Sequence, residues 1–170
     1  MNNAAQNHDA RLADWYQHAQ TLKNNINQTI LGQEKTVHQL AISIFCRGHV
    51  LLEGDVGVGK TTLLRAAAES IGGDFERVEG TIDLMPHDLV YYTHINDSGK
   101  PGVSEGPLLK HGDNLSVFFF NEINRARPQV HSLMLRVMAE RSVNAFNQIY
   151  HFPHLQIFAD RNRIEKDETF

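Results

Sequence analysis

The stretch GDVGVGKT at residues 54–61 constrains this chain more than any other. It follows a short apolar run, His49 to Glu53, which reads as a buried parallel strand. It precedes a helical pattern with Leu63, Ala67 and Ile71 on one face and Gly72-Gly73 as the stop. The glycines at 54, 57 and 59 let the backbone curl so that successive N–H groups turn inward. The helix starting near Lys60 adds the positive end of its dipole. A strand, such a loop and a helix in that order form a cradle for phosphate. The loop residues Gly54, Asp55, Val56, Gly57, Val58, Gly59, Lys60, Thr61 and Thr62 are therefore the expected ATP-binding set. Lys60 is expected to reach the β and γ phosphates, and the Thr61 hydroxyl to ligate Mg2+.

A second run, Ser116 to Phe120, reads as a core strand that ends in Asn121 and Glu122. A carboxylate just past a buried strand beside a phosphate loop can polarise a water for attack on the γ-phosphate, and Glu122 takes that role. Asn121 stands where a nucleotide hydrolase is expected to carry Asp. Asn has the same shape and offers one carbonyl oxygen to the water shell of the metal, but it lacks the negative charge. The sequence thus predicts a weakened magnesium site at Thr61 and Asn121.

The rest of the chain supplies the frame. Leu12, Trp15, Ala19, Leu22 and Ile26 recur as the stripe of an amphipathic helix packed on the domain, ended by Gly32. Val37, Leu40, Ala41, Ile44 and Phe45 predict a second helix, stopped at Gly48. Phe75 to Gly80 reads as another strand, and the turn DSGKPG at 97–102 joins two short strands near Tyr91 to Ile95 and Val103. Pro128 to Glu140 predicts a helix with Val130, Leu133, Met134, Val137 and Met138 inward. Val143 to Phe152 reads as a small hairpin, and Leu155 to Ala159 as the fourth core strand. Strands alternating with helices define an α/β domain with a mainly parallel sheet.

Composition narrows the function classes. With 170 residues, 41% hydrophobic and 21% charged, the chain can bury one real core. A net charge of −4 weighs against a broad nucleic-acid or membrane-surface footprint. No stretch approaches the roughly 20 apolar residues of a membrane span. The polar N-terminus lacks the apolar region of a signal peptide, which points to the cytoplasm. The single cysteine, Cys46, fits a reducing compartment and reads as a small buried hydrophobe near a helix end. The ten histidines form no metal pattern; Pro153 separates His151 from His154.

The segments HVLLEGDVGVGKTT at 49–62 and NEINRARP at 121–128 resemble the MoxR family of AAA+ ATPases. So do ILGQ at 30–33, RVEGTIDLMPHD at 77–88, EGP at 105–107, RSV at 141–143 and FADRN at 158–162, over roughly residues 26–170. The resemblance implies a P-loop NTPase fold of three layers, α/β/α, with a mainly parallel core sheet and an inserted hairpin. Segments 1–30 and 31–170 then become an N-terminal helical segment and a partial AAA+ domain. It implies that Ile30 and Leu31 lie beside the adenine, and that Asn162 is the polar sensor contacting the γ-phosphate or the attacking water. It further implies ATP and Mg2+ as cofactors, a hexameric ring in the full-length protein, a chaperone-like task, and a partner with a von Willebrand factor A domain. The family's fifth strand, the arginine that reaches a neighbouring subunit's ATP, and the helical lid would all lie beyond Phe170. The chain thus reads as truncated, with weak or no autonomous hydrolysis. Two other readings remain open: a module that binds nucleotide without hydrolysing it, and a DNA-acting AAA+ ATPase subunit. A GTPase is disfavoured because no N-K-x-D motif is present.

Overall fold

The computed structural model describes residues 2–163; the last residues before Phe170, after which the sequence reading expects the resembled family to continue, lie outside the described residues. Four parallel strands form the central sheet in the order β1-β8-β5-β2, with β1 Val50–Gly54, β2 Asp74–Glu79, β5 Leu115–Asn121 and β8 Gln156–Asn162. Two antiparallel hairpins stand outside it, β3 Tyr91–Ile95 with β4 Pro101–Glu105, and β6 Ser142–Ala145 with β7 Gln148–His151. Phe146 and Asn147 turn the second hairpin in the left-handed region, with φ of 50° and 60°. The helices are α1 Asn2–Thr29, α2 Glu34–Phe45, α3 Lys60–Ile71 and α4 Pro128–Glu140.

β5 explains the layering. Its side chains alternate between the two faces. Val117 and Phe119 pack with Leu22, Ile26, Val37, Leu40 and Leu64, under α1, α2 and α3. Phe118 and Phe120 pack with Val130, Met134, Val137 and Phe152, under α4. The strand is buried on both faces, which is why its sequence is a continuous apolar run instead of an alternating one. The three-layer α/β/α arrangement follows. Gln156, buried at the start of β8, donates through Nε2 to the carbonyl of Gly48 at 3.0 Å and so ties the end of α2 to the sheet. His49 Nδ1 accepts from the Ile157 N–H at 2.9 Å, and burial holds this imidazole below its usual range, which keeps the ring neutral and able to accept.

Three expectations fail. Only the C-terminal half of the α1 stripe is core: Leu22 and Ile26 are buried, whereas Leu12 and Trp15 are more than half exposed. The periodicity is real, but α2 and α3 extend only far enough to cover one end of a helix of 28 residues. Trp15 meets Phe45 at 5.9 Å between ring centroids, the rings tilted by 54°, and is otherwise largely exposed. Cys46 is exposed, because the C-terminal end of α2 turns outward through Arg47 at φ 54° before the chain enters β1. β1, expected as a buried strand, is parallel but only partly buried: it pairs with β8 alone, as an edge of the described sheet, and its Leu51 is 55% exposed.

Candidate nucleotide-binding site

The C-terminal ends of β1, β5 and β8 meet the N-terminus of α3 at one place. The loop between β1 and α3 bends through Gly57 and Gly59, each at φ 82°, a conformation that disfavours any residue with a Cβ. Lys60 opens α3. Its Nζ donates to the Gly54 carbonyl at 2.8 Å, to the Asp55 carbonyl at 2.7 Å and to Asn162 Oδ1 at 3.1 Å. An ammonium has three protons, so all are engaged across the mouth of the loop. Thr62 lies exposed in the first turn of α3. Gln33 Nε2 donates to the Val58 carbonyl at 3.1 Å and so ties the 30–33 segment to the loop. Within that segment Ile30 belongs to the core, and Leu31 is 86% exposed.

Asn121 shares the face of β5 that carries Val117 and Phe119, and Asp160 shares the face of β8 that carries Phe158; all three apolar residues pack toward α3. Both polar side chains therefore meet the first turn of that helix. Thr61 Oγ1 lies 3.1 Å from Asn121 Oδ1 and 3.2 Å from Asp160 Oδ2, and its single proton is shared between them. A hydroxyl, an amide oxygen and a carboxylate make an all-oxygen set, which suits a hard cation such as Mg2+. Asp160 is 2% exposed and was not singled out by the sequence reading. The available signal was a carboxylate placed directly after the apolar run 157–159, a position where a buried charge is rare enough to be informative.

Glu122 sits just past β5 with φ 51° and ψ 49°, the left-handed region. For a residue with a side chain this costs roughly 1–2 kcal/mol, so its neighbours must hold it there. Asp160 Oδ1 accepts from the Glu122 N–H at 2.6 Å, and the Gly80 N–H donates to the Asn121 carbonyl at 2.7 Å. Gly80 lies so close that a Cβ there would stand 2.3 Å from the Glu122 carbonyl oxygen. The Glu122 side chain lies between two partners. Asn162 Nδ2 is 3.5 Å from Oε1, and Arg125 Nε is 2.7 Å from Oε2 in an ion pair without the alignment of a hydrogen bond. Asn162 thereby links Lys60 to Glu122. The other nearby arginines also have partners within the chain: Arg127 donates to the Ile82 carbonyl, Arg161 pairs with Glu53, and Arg163 lies 4.0 Å from Asp55.

Gly80→Ala tests this support directly. The clash is with backbone, which cannot rotate away, so the variant is expected to lose about 1–3 kcal/mol of stability, the range for overpacking. Denaturant unfolding checks it. A variant as stable as the parent would mean that Glu122 is free to shift.

A strand–loop–helix cradle at the carboxyl ends of a parallel sheet, with a strand-end Glu and a polar residue on the neighbouring strand, is the arrangement of a P-loop fold of the AAA+ type. The sequence profile of the ATPase family associated with various cellular activities (AAA) matches residues 49–170. Protein MoxR of Methylorubrum extorquens is 60% identical over 162 residues, which are 95% of this chain and 47% of that protein. Chaperone MoxR1 of Mycobacterium tuberculosis is 32% identical over 85% of this chain and 38% of its own length. A solved structure of a proposed ATPase from Cytophaga hutchinsonii superposes with a TM-score of 0.78 at 25% identity, over 98% of this chain and 50% of that one. The chain belongs to the AAA family of ATPases, in its MoxR branch. It spans about half the length, or less, of the curated relatives it matches. Among the described residues no helix is long and apolar enough to cross a membrane.

Proposed function

We propose that this chain is the nucleotide-binding part of a MoxR-type, chaperone-like AAA+ ATPase that binds ATP with Mg2+ and hydrolyses it. The observation that carries the reading is the chain of contacts Lys60–Asn162–Glu122 across one cleft, which supports assigning these residues as phosphate-facing cation, sensor and general base. In this reading the loop N–H groups and Lys60 hold the β and γ phosphates. Thr61 ligates the magnesium, with Asn121 reaching its water shell. The bound metal neutralises charge on the phosphates. Glu122 takes a proton from the attacking water, and Asn162 orients that water or the γ-phosphate. Ile30 and Leu31 flank the adenine, a role supported by the tie from Gln33 to the loop.

Assembly into a hexameric ring, a partner with a von Willebrand factor A domain, and a cytoplasmic setting belong to the same proposal. The chaperone task draws its support from the name of the mycobacterial relative. Calorimetric titration with ATP and ADP, with and without Mg2+, tests the core of it. Saturable binding of both nucleotides is expected, with Mg2+ tightening ATP. Absence of binding under all these conditions would overturn the reading.

A further inference from the structure

We infer that Asp160 carries the negative charge of the magnesium site, in place of the strand-end position held by Asn121. The inference rests on the reading of the loop as a magnesium–nucleotide site and names a residue that reading does not use. β5 and β8 are adjacent and parallel, with Phe120 beside Ala159. One step further along, Asn121 at the end of β5 and Asp160 within β8 therefore stand on neighbouring strands, and both side chains converge on Thr61 Oγ1, at 3.1 and 3.2 Å. Moving the carboxylate from one strand to the next keeps it against the same hydroxyl.

The electrostatics argue for a cation there. Asp160 is 2% exposed, and it takes part in none of the ion pairs formed among the described residues. Lys60, the cation at the mouth of the loop, is bonded to Asn162 and to two carbonyls instead. A carboxylate offers about four acceptor sites, and Asp160 fills two, with the Glu122 N–H and the Thr61 hydroxyl. Burying such a group without a counter-charge is costly. A magnesium ligated by Thr61 supplies the counter-charge and a water shell for the remaining acceptor sites. The loss of charge at Asn121 is then a relocation, and the site keeps one carboxylate.

A charge swap tests this. Asp160→Asn is isosteric and keeps an oxygen for the Glu122 N–H, so a purely structural role predicts an unchanged response to Mg2+. The relocated charge predicts that the Mg2+ concentration at half-maximal tightening of ATP rises about 10–100-fold, while Mg2+-free ADP affinity stays within about threefold. The double variant Asn121→Asp with Asp160→Asn returns the carboxylate to β5 and is expected to restore most of the loss. An unchanged midpoint in Asp160→Asn, or a double variant as weak as Asp160→Asn, overturns the inference alone, since Mg2+-free ADP binding reports separately on the phosphate loop. A parent protein that binds no nucleotide overturns the reading of the loop and this inference together. If Asp160→Asn does not fold, the double variant decides: a parent-like midpoint supports the relocation, and a midpoint raised tenfold overturns it.

Discussion

Lys60→Ala is expected to bind ATP about tenfold to hundredfold more weakly than the parent, because a charge-assisted hydrogen bond contributes roughly 1.5–3 kcal/mol. The side chain leaves the first turn of α3 and crosses the loop, with Nζ within 3.1 Å of Gly54, Asp55 and Asn162 oxygens. Those partners locate the ammonium where phosphate oxygens would meet it. The two carbonyls among them accept water readily after truncation, so the fold tolerates the change and the loss appears in affinity. The dependence should grade with phosphate number, larger for ATP than for ADP and smallest for AMP, since the cation faces the β and γ positions. Calorimetric titration of the three nucleotides checks both the size and the order. Equal affinity of Lys60→Ala and parent for ATP would remove the phosphate-loop assignment.

What the sequence makes legible here is local. The loop spacing, the stop at Gly72-Gly73 and the double-faced apolar run of β5 are each set by neighbours along the chain, and each predicted element has its counterpart in the fold. The end of β5 could also be read, because a strand-end Asn-Glu pair announces itself once the loop is known. Asp160 could not be ranked in the same way. Its importance comes from the pairing of β8 between β1 and β5, which brings residue 160 against Thr61 and the Glu122 N–H. The left-handed backbone of Glu122 is likewise a product of contacts with Gly80 and Asp160, distant in sequence. Trp15 and Cys46 show the converse. Periodicity and residue type state which face prefers burial, and only the extent of α2 and α3 decides what is covered.

The second large effect is kinetic. Glu122→Gln is expected to hold ATP within about threefold of the parent affinity and to release phosphate about 10²–10⁴-fold more slowly, the usual contribution of a positioned general base. Gln keeps the shape of the side chain, and its single amide oxygen can still accept from Asn162, so binding and fold are conserved while the proton acceptor is lost. Arg125 bears on the absolute rate. With Nε 2.7 Å from Oε2, it holds the carboxylate to one side and leaves Oε1, 3.5 Å from Asn162 Nδ2, as the oxygen that the proposed mechanism would use to accept the proton. A neighbouring subunit's arginine contributes about 10³–10⁵-fold in related phosphoryl transfers, so the unassembled chain should be slow even with Glu122 intact. Single-turnover release from radiolabelled ATP, followed over hours with protein in excess, is therefore the suitable measurement. Phosphate released by Glu122→Gln at the parent rate would assign the proton to another group and leave Glu122 a strand-end residue with no part in the chemistry.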